Sequence, residues 1–89
     1  MIDKDKVWEK AAKISGKDPS KYRRDPYGTI IYKDSHGKNS EMGWEIDHIK
    51  PKARGGSDCI ANLQALSTEI NRAKADSLVK KSRHAKTNK

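Results

Sequence analysis

From Trp44 onward the chain orders its elements in a way that leaves few folds open. A short apolar strand is followed by a glycine-broken loop, a second short strand, and a helix with no spacer before it. Trp44 and Ile46 share one face of the first strand by the period-two rule. The loop KPKARGGSD carries a proline and two adjacent glycines, and proline opposes continued strand pairing. A second strand is expected near Asn62 to Leu66. STEINRAKADSLVKK then reads as a helix, with Ser67 as N-cap and Ile70, Ala73 and Leu78 on its buried side. Strict alternation sends Asp47 and His48 to opposite faces, so both reach one site only if the strand frays or bends near Pro51.

The first half of the chain is less constrained. Asp3 to Ser15 is expected to be a helix, because Val7, Trp8, Ala11 and Ala12 fall on one side at helical spacing and Gly16 closes it. KDPSKYRRDPYG holds two Asp-Pro steps and Gly28, which argue for turns or one short helical turn rather than a strand. TIIYK is β-branched and apolar enough for one additional short strand, and DSHGKNSEMG is turn-rich. Trp8, Trp44, Ile30, Ile31, Ile46, Ile60, Leu63, Leu66 and Ile70 are the candidate core. That is a thin supply for 89 residues without a phenylalanine, and a chain this short forms one domain at most.

Charge points to the partner. Twenty Lys and Arg against twelve Asp and Glu give a net charge of +8, which favours a polyanion and places nucleic acid ahead of an anionic membrane. One cysteine, Cys59, excludes an internal disulfide and a Cys-rich zinc knuckle, and reads as a packing residue. No apolar run approaches the roughly 20 residues that span a bilayer, and MIDKDKVWEK lacks a signal-peptide core, so a cytoplasmic location is expected. Residues 79–89 hold five Lys or Arg and no acid, which reads as a solvated basic tail.

The polar residues around the strand-loop-strand unit suit phosphodiester hydrolysis. That reaction needs a base for water, a divalent cation to stabilise developing charge, and side chains to hold the cation. A hard cation such as Mg²⁺ takes oxygen donors and only a few from the protein, which Asp47 and the amide oxygen of Asn71 could supply. His48 is of the residue type that is largely neutral near pH 7 and can accept a proton. Lys74, three residues beyond Asn71 on the expected helix, shares roughly its face and could hold a phosphate. Asn62 follows the glycine loop, where its amide can bond to backbone across the loop and fix the segment of His48. Lys50, Lys52 and Arg54 lie in the loop where substrate backbone would pass. His36 and His84 have no ligand neighbour at useful spacing and read as solvated. Arg23, Arg24 and Asp25 are expected to be structural.

These residues resemble the HNH endonucleases, in the succession DHIKP, GGSD, NLQAL and NRAK between Gly43 and Asp76, and KYRRDPYG through GWEIDHI is similar to small bacterial and phage members. The resemblance covers about two-thirds of the chain. It implies an α+β chain with a ββα-metal (His-Me finger) core, here about residues 43–78 of a single domain at 1–78, preceded by the N-terminal helix and the additional strand. It implies cleavage of double-stranded DNA with one divalent ion, leaving 5′-phosphate and 3′-hydroxyl ends. By the same resemblance His48 is the general base, Asp47 and Asn71 are the metal ligands, and Asn62 steadies the base. The third motif position is Asn71 rather than His, as in the nuclease domain of RNA-guided CRISPR effectors, which favours Mg²⁺ or Mn²⁺ over Zn²⁺ or Ni²⁺. The paired CxxC motifs of zinc-stapled relatives are missing. Expected partners are DNA and either a second copy of the chain or a larger nuclease or phage-packaging complex. Two other readings stand beside an endonuclease or nickase: a non-catalytic nucleic-acid-binding module with a structural or vestigial metal site, and the nuclease domain of a toxin.

Overall fold

Two small antiparallel sheets and the first helix share a core built on a pair of tryptophans, and a second helix lies against the other face of one sheet. The computed structural model describes residues 2–74. The expected basic tail at 79–89, Leu78 and His84 lie outside the described residues. The described elements are α1 (Lys4–Glu9), β1 (Ala12–Lys13), β2 (Tyr22–Arg24), β3 (Ile30–Tyr32), β4 (Trp44–His48), β5 (Leu63–Ser67) and a helix, α2, over 68–74. Strands β1, β2 and β3 form one antiparallel sheet in that order, and β4 pairs with β5 in the other. The chain is α+β.

Helix α1 is six residues long, not the thirteen its spacing suggests. The Asp3 carboxylate caps it by accepting from the backbone N–H of Asp5 and Lys6. Its other end is terminated from outside the segment. Arg23, only 8% exposed, donates from Nη1 to the carbonyl oxygens of Glu9 and Ala11, each at 3.0 Å, and from Nε to Pro19 O at 2.8 Å. Those carbonyls would otherwise have continued the helical ladder or stood unpaired. Beyond them Ala12 and Lys13 turn into an edge strand against Arg24 and Arg23.

The segment expected to hold turns or a short helical turn contains the middle strand of the first sheet. Both Asp-Pro steps do make turns: Asp18 accepts from Ser20 N and Oγ, and Asp25 accepts from Tyr27 N and Thr29 N while Gly28 sits at φ +86°. Between them Tyr22, Arg23 and Arg24 pair with Tyr32, Ile31 and Ile30. Tyr22 stacks on Tyr32 across the pair at 5.1 Å between ring centroids. The single additional strand expected at Thr29 to Lys33 is thus one edge of a three-stranded sheet.

Val7, Trp8, Ile31, Trp44, Leu63 and Ala65 form the core, with Ile2, Ala11, Ile46 and Ile60 packed against it. The rings of Trp8 and Trp44 lie 5.1 Å apart at a 47° tilt. Each buried indole N–H has an acceptor, Pro19 O for Trp8 and Lys33 O for Trp44, so neither leaves a polar group unpaired. His36, expected in solvent, sets its ring edge-on against Trp44 at 4.6 Å. Cys59, expected to pack, is exposed.

Register fixes which side chains share a face. Trp44, Ile46 and His48 oppose Ser67, Ala65 and Leu63 on the core side, while Glu45 and Asp47 oppose Leu66 and Gln64 on the other. Helix α2 covers that second face. It begins where the sequence places it, with Ser67 Oγ accepting from Ile70 N at 3.1 Å. Asp25, 3% exposed, accepts from Ser67 N at 3.0 Å and so ties the β2–β3 turn to the start of α2. Ile70 is half-buried as expected, but Ala73 is exposed, since the covered positions of α2 are Thr68, Ile70, Asn71 and Lys74. Among the described residues no helix is long and apolar enough to cross a membrane.

Candidate active site

The end of β4 does not fray. His48 remains in register opposite Leu63, and the ladder continues to Ile49, whose N–H donates to Asn62 O at 2.8 Å. Asp47 and His48 nevertheless line one open cleft of about 290 Å³, together with Ile46, Pro51, Lys52, Asn71 and Lys74. His48 is the last residue of the strand, so the cleft wraps round the strand end and meets both faces. No bend is needed to bring them together.

Asp47 is 7% exposed and fully engaged. Its oxygens accept from Lys74 Nζ at 3.0 and 2.8 Å, and Oδ2 also accepts from Gln64 Nε2 at 2.8 Å. Gln64 is directly across the ladder, which is why it can reach. Lys74 Nζ also contacts His48 O at 3.4 Å. The ammonium therefore rests on a carboxylate, a partner that its helical spacing from Asn71 alone does not reveal.

His48 is held from the loop. Its Nε2 lies 2.7 Å from Asp58 Oδ1, and Lys52 Nζ lies 3.4 Å from Asp58 Oδ2. The hydrogen bond to His48, and then Lys52, hold the Asp58 carboxyl below its ordinary value. A carboxylate can only accept, so the facing imidazole nitrogen is the donor, and in the neutral ring the lone pair is then on Nδ1.

Asn62 closes the loop under His48. Its Oδ1 accepts from Lys50 N at 2.8 Å, and its Nδ2 donates to Lys50 O at 3.1 Å and Ser57 O at 2.8 Å. The pair Gly55 and Gly56 makes the approach possible. A Cβ on Gly56 would collide with the carbonyl of Lys50 and lie 2.9 Å from Pro51 O. Lys50, Lys52 and Arg54 are exposed on this loop, the latter two in a single 3₁₀ turn.

Asn71 projects from α2 into the cleft, and its Nδ2 donates to Glu45 Oε1 at 2.7 Å. Glu45, Asp58 and Gln64 lie outside the residues to which the sequence pattern assigns a role. Glu45 was the readable one, since it sits two residues before Asp47 and the period of a strand puts it on the same face. Asp58 and Gln64 owe their places to loop closure and register. Among the described residues no three His, Cys, Asp or Glu side chains cluster as a metal cage. Among the side chains that line the cleft, the oxygens that could take a cation are those of Asp47 and the amide oxygen of Asn71. That donor set suits a hard ion that keeps water and phosphate in most positions, and it lacks the nitrogen or sulfur ligands of a zinc site.

A family model described as HNH endonuclease matches residues 33–77. The match runs from the end of β3 through β4, the loop, β5 and α2, and so takes in every side chain of the cleft. No curated protein and no solved structure matches the chain.

Proposed function

The chain belongs to the HNH endonuclease family, and from that premise we propose that it is a metal-dependent DNA endonuclease or nickase working in the cleft at the end of β4. Membership makes nuclease activity, DNA as partner and use of a divalent metal the general expectation. The observation that carries the specific reading is the shared cleft of Asp47, His48, Asn71 and Lys74, drawn from the end of strand β4 and from helix α2.

In this reading the β4–β5 pair with α2 is a ββα-metal core. His48 is the base: with Nε2 bound to Asp58, Nδ1 accepts a proton from the attacking water. The water oxygen bonds to phosphorus, the bond from phosphorus to the 3′ oxygen breaks, and that oxygen takes up a proton from solvent. The products are a 5′-phosphate and a 3′-hydroxyl. Asp47 and Asn71 would hold one Mg²⁺ or Mn²⁺, which when bound stabilises charge on the phosphate and on the leaving oxygen. Asn62 fixes the backbone that carries His48. Lys50, Lys52, Arg54 and Lys74 supply positive charge for the DNA backbone, in keeping with the +8 net charge.

The test is incubation of supercoiled plasmid with the purified chain in Mg²⁺, Mn²⁺ or EDTA. Relaxed or linear DNA in metal and intact plasmid in EDTA is the expected result. Intact plasmid in all three, from a folded preparation, overturns the reading.

A further inference from the structure

Asn71 faces a choice that an aspartate would not. Its amide has an oxygen on one side and an NH₂ on the other, and only the oxygen can bind a cation. A half-turn about the last side-chain bond would present two donors to the cleft and repel the ion. Something must decide the orientation, and the β4 face supplies it. Glu45 Oε1 lies 2.7 Å from Asn71 Nδ2 in a partly buried contact, and Glu45 itself is not part of the cleft wall. A carboxylate only accepts, so it binds the NH₂ side and turns Oδ1 outward. Among the described residues no donor occupies Asn71 Oδ1, whereas the Asp47 carboxylate is bonded three times over.

We infer that Glu45 is a positioning residue for the cation: it locks the amide of Asn71 so that Oδ1 faces the cleft. The inference rests on the reading of Asn71 as a ligand. Glu45 can do this because it stands two residues before Asp47 on a regular strand. One face of β4 thereby offers both the direct carboxylate ligand and the group that aims the second ligand on the facing helix. A neutral Gln at position 45 would remove the discrimination, because its amide can donate to Asn71 Oδ1 as readily as accept from Nδ2.

The experiment titrates Mn²⁺ into DNA-free protein by calorimetry, for the wild type, Glu45→Gln, Asn71→Ala, Asn71→Asp and the double variant Glu45→Gln/Asn71→Asp. Glu45→Gln should weaken Mn²⁺ binding about 10- to 100-fold. In the Asn71→Asp background the same change should weaken nothing, since a carboxylate presents oxygen whichever way it turns. Wild-type affinity in Glu45→Gln alongside weakened binding in Asn71→Ala overturns the inference while leaving the ligand reading intact. Equal weakening in both backgrounds overturns it too, and would make Glu45 a direct or merely structural contributor. Unchanged affinity in Asn71→Ala overturns the ligand reading and the inference together. A measurement on the wild type needs no variant to fold. The Asn71 side-chain amide protons should exchange with solvent more slowly than those of exposed Asn39, and equal exchange rates count against the lock.

Discussion

Replacing Lys74 with methionine should tighten metal binding while slowing DNA cleavage. The Lys74 ammonium lies 2.8 and 3.0 Å from the two oxygens of Asp47, so a cation arriving at that carboxylate must displace it. At an effective dielectric of about 20, unit charges about 4 Å apart attract by about 4 kcal/mol. Lys74 is 29% exposed and recovers hydration as it leaves, which reduces the net competition to about 1–2 kcal/mol. At about 1.4 kcal/mol per factor of ten, Lys74→Met should bind Mn²⁺ about 5- to 30-fold more tightly than the wild type. The metal-free variant should be less stable by about 1–3 kcal/mol, because Asp47 keeps only the bond from Gln64. Added Mn²⁺ should therefore raise its melting temperature by more than it raises that of the wild type. Calorimetric titration of DNA-free protein and thermal unfolding in Mn²⁺ and in EDTA read both effects. Cleavage at saturating Mn²⁺ should fall, since the cleft has lost a charge available to phosphate. Weaker Mn²⁺ binding by Lys74→Met would mean that the lysine builds the site rather than competing for it.

Gly56→Ala should disturb the loop that holds His48, because the new methyl meets the backbone of Lys50 and Pro51; loss of the Asn62-protected amide of Lys50 in hydrogen exchange is the readout, and unchanged protection would contradict the packing argument. Asp25→Ala strips three backbone N–H groups of their acceptor and should lower stability by about 2–3 kcal/mol, or about 10–20 °C in melting temperature for a domain this size. A smaller shift than a surface substitution gives would rule out the tie between the β2–β3 turn and α2. Burial, followed by the charge of Lys4, depresses the His36 pKa below its ordinary 6.5. The folded state therefore favours neutral imidazole, so the stabilisation is present above the ordinary value and is lost as pH falls through the depressed one. Thermal unfolding followed by tryptophan fluorescence should show that loss below about pH 6.5 in the wild type and a flatter profile in His36→Gln.

Legibility in the sequence followed how local each cause was. The β4–β5 pair and the start of α2 could be read because alternation at Trp44 and Ile46, the glycine loop and the Ser67 cap are all short-range signals. Strand β3 was legible for the same reason. Ala11 and Ala12 fit the face of α1 and suggest a longer helix, whereas what stops it is the guanidinium of Arg23, twelve and fourteen residues away from the carbonyls it takes. Strand β2 was hidden because Tyr-Arg-Arg shows no apolar alternation and sits between two turn signals. The bend expected at His48 proved unnecessary, since a cleft at a strand end is open to both faces. Of the site's side chains, those inside motifs stood out. Glu45, Asp58 and Gln64 act through register and loop closure, and only Glu45 carried a readable clue, its spacing from Asp47.

The measurement that bears most directly on this account is the cleavage rate of His48→Ala against wild type at saturating Mn²⁺, with fold and DNA binding checked in the same preparations. If His48 draws the proton from water, the rate drops by about 100-fold or more while metal and DNA affinities stay near wild type. A folded His48→Ala protein that cuts as fast as the wild type would mean the hydrolytic centre is elsewhere.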